Sequence, residues 1–413
     1  MSDIRGSHRL VQALCAFIAL LLCGLVYAWS LFVEPLEAEY GWTRSQTSFN
    51  FTISLITFSL GMLAAGWFDK RGLSRKVLFG TAALVAMGFA ACAFAQTLLG
   101  IYVGYGVLVG LSIGLVTDAV MAIALRWYPD KQGFASGALL MGFGMGAMLL
   151  SPLVTALLGS VSLKSTFLIL GMVFGASFLV IAVIMREPPE ELAGALKKQA
   201  QEQNVISARD YTASQMVRTA AFWKVIVWLI LVTSGGLALI SQAVPAAEDV
   251  LVKGGMGAES ALLLATAAMG SISLFNGLGR LLNGYVWDRF GHRASVLWVS
   301  TGYILSMLLC VAATMTGSFP LVVAGFMILG LMYGGNMSTM AAMCGSFFGA
   351  KYFSVNYAVA TCQMIVASAI GPTLLAALQG SSGNYLLAFG VFLIIALAAF
   401  VLSFTVNAPR EAH

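Results

Sequence analysis

Long apolar runs separated by short polar stretches make up most of this chain. Twelve of these runs approach the ~20 residues that an α-helix needs to cross the ~30 Å hydrocarbon layer of a bilayer. They are too long and too continuous for the alternating strands of an outer-membrane barrel. The pattern therefore predicts an all-α membrane protein with twelve transmembrane helices. The predicted spans are approximately 10–36, 45–68, 76–95, 98–126, 133–158, 163–186, 221–247, 258–287, 294–316, 319–348, 353–379 and 384–407.

Composition agrees with this pattern. Hydrophobic residues make up 60% and charged residues 9% of the 413 residues, whereas soluble domains contain roughly 25% charged residues. The first run follows Arg5, His8 and Arg9 and so resembles the start of a signal peptide, but it continues without a convincing small-residue cleavage site. It is therefore predicted to be a retained first helix.

The basic residues predict the orientation of the chain. Arg44, Lys164 and Lys253 fall on one side of the predicted membrane, Arg280 lies within a span, and all the other lysines and arginines fall on the opposite side. Because cytoplasmic loops carry the positive excess, both termini are predicted to be cytoplasmic. The net charge of +5 is spread over separate short loops. It therefore indicates a lipid bilayer as partner and gives no argument for nucleic acid.

The two halves of the chain resemble each other. A polar stretch at 187–220 is predicted to be a cytoplasmic linker between an N-terminal six-helix bundle, 1–186, and a C-terminal one, 221–413. Three landmarks recur at offsets of 219 or 220 residues, and they are the pairs Asp69 and Asp288, Lys131 and Lys351, and Pro152 and Pro372. Two pseudo-symmetric bundles with a ligand site near the midplane are typical of secondary transporters.

Arg280 is the candidate binding residue that stands out in the sequence. It lies well inside the eighth predicted span, and no acidic residue shares that apolar run. An arginine at such a depth costs roughly 2.5–3.5 kcal/mol on insertion scales, so it normally faces a polar cavity and a partner. An anionic substrate would neutralise it. The alternative is a structural arginine that bonds to carbonyl groups or reaches the interface.

Asn276 precedes Arg280 by one helical turn, and both therefore share a helix face. A guanidinium group can hold a carboxylate through two parallel hydrogen bonds, and the Asn276 amide could add a third. Other candidates for substrate binding are polar or thiol side chains of other spans, which could equally serve helix–helix contacts. They are Tyr27, Tyr333, Asn336, Cys362 and Gln363.

Asp118 is the acidic residue placed deep in a span, eight residues before Arg126, just as Arg280 stands eight residues before Asp288. The two charges are therefore predicted to lie at similar depth. Asp118 is a candidate for proton coupling, through pairing with Arg280 or by taking up a proton itself. The alternative is a structural carboxyl group bonded to neighbouring hydroxyls.

The loop after the eighth span reads Gly284-Tyr-Val-Trp-Asp288-Arg289-Phe-Gly291-His-Arg293. It resembles the signature loop of the major facilitator superfamily, and a less regular copy follows the second span. Ionic contacts at such loops can hold helix ends in one conformation and release them in another. The resemblance implies a conformational gate formed by residues of both copies, namely Asp69, Arg71, Asp288, Arg289 and Arg293.

Two further segments narrow this resemblance. Arg126-Trp-Tyr-Pro-Asp-Lys-Gln-Gly133-Phe-Ala-Ser-Gly137 and Arg218-Thr-Ala-Ala-Phe-Trp223 are similar to the monocarboxylate porter family, which includes oxalate:formate exchangers and proton-coupled lactate and pyruvate carriers. In that family an arginine of the eighth span binds the carboxylate, and Arg280 matches it. The animal lactate carriers have an aspartate where this chain has Asn276, and they carry a lysine in helix 1 that this chain lacks. The resemblance therefore supports substrate recognition by Arg280 better than it supports a particular set of proton-coupling residues. It also implies that the protein lies in a bacterial inner (plasma) membrane.

The sequence thus predicts a secondary active transporter of small monocarboxylates, of the L-lactate and pyruvate type, with proton symport, alternating access and Arg280 as the carboxylate site. Anion exchange of the oxalate:formate kind is the alternative, and a non-transporting membrane sensor is a remote one. No enzyme activity, cofactor or metal is expected, because His8, His292 and His413 all fall in termini or loops and no catalytic constellation occurs.

Overall fold

The computed structural model describes residues 2–95, 97–189 and 209–409, together with residues 192, 194 and 198. These residues are almost entirely helical and contain no strand, so the predicted all-α fold is confirmed. The first part of the chain forms α1 (Ser2–Cys23), α2 (Ser30–Tyr40), α3 (Arg44–Asp69), α4 (Ser74–Phe94), α5 (Leu98–Ile101), α6 (Gly110–Arg126), α7 (Gln132–Ser160) and α8 (Leu163–Ile184).

Three short irregular segments connect these helices. Gly24–Ala28 and Pro129–Lys131 are 3-10 turns, and Tyr102–Val109 is a π-helix between α5 and α6. The second part of the chain forms α9 (Ala213–Met216), α10 (Ala220–Lys253), α11 (Ala258–Thr316), α12 (Phe319–Phe348), α13 (Phe353–Thr361), α14 (Gln363–Ser382) and α15 (Leu386–Ser403).

Local side-chain chemistry accounts for where several helices begin. Thr43 accepts a hydrogen bond from the backbone N–H of Gln46, whose side chain in turn accepts from the Thr43 N–H, at the start of α3. Thr219 caps α10 in a similar way through the Phe222 N–H. Such caps satisfy N–H groups that have no partner within the helix.

Eleven helices of the described part are long and apolar enough to cross a membrane, although the sequence predicts twelve spans. The difference lies in α11, whose apolar stretch Ala267–Thr316 is 50 residues long and contains most of the eighth and all of the ninth predicted span. Gly291 breaks this helix with φ 81° and ψ 175°, a conformation that suits glycine because it has no β-carbon. The Ser295 hydroxyl donates to Asn283 Oδ1 at 3.1 Å, so the chain reverses direction at Gly291.

Contacts divide the chain into two compact units. Unit 1 consists of Met1–Ala135, Met145–Ala213 and Cys344–Thr361. Unit 2 consists of Ser136–Gly144, Ser214–Met343 and Cys362–His413. Each unit thus includes a short segment from the other half of the sequence. The predicted domain boundaries at 186 and 221 stay a prediction, and most of the predicted linker, 190–208, lies outside the described residues.

Aromatic side chains form the core of unit 1. The Trp29 ring lies 4.3 Å from that of Tyr105, and the Phe32 ring stacks on Phe167 at 5.1 Å between centroids. Phe89 joins the group through contacts with Tyr105, Phe167 and Phe174. Rings at these separations gain attraction beyond their buried area, which holds the helices of this unit together.

Candidate functional site

Arg280 lies in α11 within unit 2, and only 3% of its surface is exposed. Its Nη1 donates to the Leu140 carbonyl oxygen at 2.8 Å, and its Nε donates to Asn276 Oδ1 at 3.2 Å. The Phe143 ring lies 5.8 Å from the guanidinium carbon. We call Arg280, Asn276, Leu140 and Phe143 the Arg280 site.

Glycines of α7 make room for this arginine. A β-carbon added at Gly137 would lie 2.3 Å from the Arg280 carbonyl oxygen, and one added at Gly144 would lie 3.1 Å from Arg280 Nε. Contacts below about 3 Å are not compatible with a side chain unless one of the groups moves. The segment 136–144 can therefore pack closely on α11 because these two positions lack side chains.

Glycines of α12 hold α11 from another side. A β-carbon added at Gly334 would lie 1.9 Å from the Asn276 carbonyl oxygen and 2.9 Å from Asn276 Oδ1. One added at Gly330 would lie 2.4 Å from the Ile272 carbonyl oxygen. Small residues that let backbones approach are typical of helix packing in membranes. This contact fixes the backbone that carries Asn276.

The electrostatic state of Arg280 follows from these contacts. Within the described part of unit 2, no carboxylate forms an ion pair with it. A guanidinium carries five N–H donors, and Leu140 and Asn276 use two of them. The remaining donors and the full positive charge can therefore serve an anion. The predicted one-turn relation between Asn276 and Arg280 is present as a direct hydrogen bond.

The other predicted binding residues of unit 2 lie on α12 and at the start of α14. Asn336 is buried, and its Nδ2 donates to Thr233 Oγ1 at 2.6 Å. Tyr333 is buried next to Gly236 of α10. Gln363 is 3% exposed, and neither its Nε2 nor its Oε1 has a hydrogen-bond partner among the described residues. Cys362, partly exposed, occupies the break between α13 and α14.

Two predicted residues belong to unit 1. Tyr27 is 37% exposed and lies in the 3-10 turn after α1. Asp118 is fully buried in α6, where the Ser354 hydroxyl donates to its Oδ2. The roles assigned to these residues, including the pairing of Asp118 with Arg280, stay predictions.

Sequence reasoning missed several residues that contact the predicted ones. Leu140, Phe143 and Ser354 have no polar or spacing signal that links them to their partners. A signal existed for the first two, because Gly142, Gly144 and Gly146 form a glycine-rich stretch in α7. Such a stretch is typical of close helix packing in membranes, but it does not show which helix packs there.

Asp69 of the predicted gate forms a charge cluster within unit 1. Its side chain is 3% exposed, and Oδ2 accepts a hydrogen bond from Arg126 Nη2 at 2.7 Å. The Ser74 hydroxyl also donates to this carboxylate. Arg126 Nη1 contacts Glu187 Oε1 at 2.8 Å.

The other gate residues lie at exposed positions. Arg71 packs its guanidinium 3.4 Å above the Trp67 ring centroid. Arg293 Nε and Nη2 donate to Asn407 Oδ1 at 3.2 and 3.0 Å, whereas Asp288 and Arg289 are exposed near the Gly291 turn. A gating function of these five residues stays a prediction.

The charge cluster predicts unequal effects of removing its members. We expect Arg126→Ala to destabilise the protein by about 3 kcal/mol, because Asp69 would keep a buried charge without its partly exposed cation. Glu187→Gln should cost less than about 1 kcal/mol, since 45% of the Glu187 side chain is exposed. Thermal unfolding in detergent measures both. Equal shifts in the two variants would contradict this assignment, and Asp69→Asn combined with Arg126→Ala should recover part of the loss.

The fold and the Arg280 site together describe a polytopic helical membrane protein with a buried cation that has no carboxylate partner within the described part of its unit. The sequence profile of the Major Facilitator Superfamily matches residues 13–281 and 256–413. The chain belongs to this superfamily, and it is a membrane transporter rather than an enzyme.

Individual relatives agree with this assignment. The chain is similar to the oxalate:formate antiporter of Oxalobacter formigenes, with 27% identity over 408 residues that cover 97% of this chain and 93% of that protein. It is also similar to monocarboxylate transporter 12 of Rattus norvegicus, with 23% identity over 50% of this chain and 43% of that one. A solved proton:xylose symporter shares the fold, with a TM-score of 0.74, 14% identity, and coverage of 98% of this chain and 97% of that one.

Proposed function

We propose that this protein is a secondary transporter of small monocarboxylates, of the L-lactate and pyruvate type, and that it moves them together with protons by alternating access. The observation that carries the proposal is Arg280. It is buried, it lacks a carboxylate partner within the described part of unit 2, and it keeps unused N–H donors. A buried arginine in a membrane span normally has a counter-charge, and a substrate carboxylate provides one.

The neighbours of Arg280 suit a small carboxylate. Asn276 orients the guanidinium through its Oδ1, which leaves the planar edge of the group for bidentate binding of a carboxylate. The Phe143 ring adds an apolar surface beside the charge. Tyr333, Asn336 and Gln363 are further candidates for contacts with the rest of the substrate, since they are buried polar residues of the same unit.

Charge neutralisation explains how binding would be linked to transport. An empty Arg280 resists enclosure because burying an unpaired charge is costly. A bound monocarboxylate cancels that charge, so the loaded protein can change conformation. The proton would travel on Asp118, the predicted proton-coupling residue. The gate residues Asp69, Arg71, Asp288, Arg289 and Arg293 would form and break contacts during the cycle, in an inner membrane with both termini cytoplasmic.

Anion exchange is the second candidate, and the similarity to the oxalate:formate antiporter along 97% of this chain favours it. A dicarboxylate carries two negative charges and is normally bound by two cations. Arg280 is the basic residue placed well inside a predicted span. Gln363, a further candidate for substrate contact, is neutral and so adds no second positive charge. This charge count favours a monocarboxylate over a dicarboxylate such as oxalate.

Uptake of radiolabelled L-lactate into proteoliposomes tests the proposal. Purified protein is reconstituted and assayed with an inward proton gradient, without a gradient, and with oxalate or formate trapped inside. We expect accumulation that follows the proton gradient and needs no internal anion. Uptake that requires trapped anion would establish exchange and reject symport. Saturable binding of lactate without any uptake would support a sensor instead.

A further inference from the structure

Asp118 has an unusual environment for a carboxyl group. It is fully buried in α6, and one of its oxygens accepts a hydrogen bond from the Ser354 hydroxyl. The other oxygen, Oδ1, has no hydrogen-bond partner among the described residues. Both residues belong to unit 1, although 236 positions separate them in the sequence.

The charges around Asp118 do not neutralise it. The titratable groups that face it are Asp69 on α3, Arg126 on α6 and Cys344 at the start of the segment that carries Ser354. Arg126 is already engaged by Asp69 and Glu187. An ionised carboxylate with a single hydrogen bond is costly to bury, whereas a neutral carboxyl group costs far less. The observed packing therefore fits Asp118 with a bound proton.

Ser354 reaches Asp118 because the segment 344–361 packs within unit 1. Val355 lies against Gly66 of α3, where a β-carbon would be only 2.9 Å away. The backbone N–H of Tyr211 donates to the Phe348 carbonyl at 2.8 Å, and Asn356 Nδ2 donates to the Tyr211 carbonyl at 2.9 Å. The seated segment covers Asp118, so its departure would uncover the carboxyl group.

We propose that Asp118 and Ser354 form a proton-binding site that is closed only while the segment 344–361 is seated against α3 and α6. When the segment leaves, water reaches Asp118, its O–H bond breaks, and the proton passes to that water. Reseating of the segment requires the proton to return. This inference rests on the proposed proton-coupled transport, and it links the proton step to one packing event.

Cysteine labelling at position 355 tests the inference without substrate. In a variant whose six native cysteines are replaced by alanine, Val355→Cys places a thiol against Gly66 at a half-buried position, where the seated segment restricts the access of a permeant maleimide. We expect faster labelling at alkaline than at acidic pH, with a change of up to about tenfold per pH unit in the range where Asp118 titrates. Ser214→Cys, at an exposed position, corrects for the pH dependence of the thiol itself.

Three substitutions in this background separate the roles. Asp118→Asn keeps an acceptor for Ser354 without a titrating group, so labelling should be slow and independent of pH. Ser354→Ala should speed labelling at every pH and leave the pH dependence in place. Ser112→Ala is the matched control on α6, since the Ser112 hydroxyl donates to the Leu108 carbonyl of the preceding π-helix, and it should change nothing.

The outcomes distinguish this inference from the proposed function. A pH dependence that persists in Asp118→Asn, or labelling that is independent of pH in the parent, would overturn the proton site even if lactate uptake follows the proton gradient. Labelling as expected in a protein that fails to transport lactate would overturn the monocarboxylate assignment and leave the proton site intact. If Asp118→Asn fails to fold, Ser354→Ala still decides, because equal labelling in it and the parent would contradict the seated hydrogen bond.

Discussion

Arg280→Ala is expected to weaken L-lactate binding and proton-driven uptake by about a hundredfold or more. Truncating one partner of a buried, hydrogen-bonded charge pair costs about 2–5 kcal/mol, and each 1.4 kcal/mol is tenfold in affinity. The loss should be at the high end because no other basic residue lies inside the apolar run that carries Arg280. Binding is measured by calorimetry or by displacement of radiolabelled lactate in detergent, and uptake in proteoliposomes.

Two companion variants separate charge from geometry at this site. Arg280→Lys keeps a positive charge but loses the planar fork, so it should retain part of the affinity. Asn276→Ala removes the hydrogen bond to Arg280 Nε and should weaken binding by about threefold to tenfold, as expected for one hydrogen bond of about 0.5–1.5 kcal/mol. Normal uptake by correctly folded Arg280→Ala would reject Arg280 as the substrate site.

Gly334→Ala is expected to produce a large loss of stability. The added carbon would lie 1.9 Å from the Asn276 carbonyl oxygen, and a backbone carbonyl inside a helix cannot swing away as a flexible side chain can. Overpacking of this kind typically costs about 1–3 kcal/mol and occasionally more. We expect a markedly lower midpoint of thermal unfolding in detergent, together with weaker lactate binding because Asn276 is displaced.

Gly270→Ala provides the matched control for this substitution. Gly270 lies in α11, and a β-carbon there meets nothing within 4 Å. Alanine should therefore leave the midpoint unchanged or raise it slightly, because glycine is the poorer helix former. Similar destabilisation in both variants would indicate a general intolerance of α11 and α12 to substitution, and it would contradict a specific contact at Gly334.

The hydrophobic pattern predicted the parts of the structure that depend on local chemistry. Apolar runs of sufficient length have only one way to satisfy their backbone in a membrane, so the helical fold could be read directly. Arg280 is buried within such a run, and its one-turn spacing from Asn276 predicted that the two share a helix face. The hydrogen bond from Arg280 to Asn276 was not predicted. The loop motif predicted a turn near Gly291. The sequence suggested a loop there, whereas in the structure a single residue breaks the helix.

Contacts between distant parts of the chain could not be predicted in this way. The Leu140 carbonyl that binds Arg280 is a backbone group, and any residue type supplies one, so its sequence carries no mark of the contact. Ser354 is one serine among many, and its bond to Asp118 depends on how the segment 344–361 packs. Each unit also contains a short segment from the other half of the sequence. This division depends on tertiary packing, so the hydropathy pattern could not predict it.

The reversal at Gly291 has a consequence for how the chain enters the membrane during synthesis. The eighth and ninth predicted spans are joined by so short a turn that Asn283 and Ser295 already touch across it. We expect two apolar helices tethered this closely to insert into the bilayer together as a hairpin, because the short turn prevents one from entering the lipid without the other. Lengthening the turn with an inserted tag would remove that coupling, so this loop is a poor place for epitope insertion.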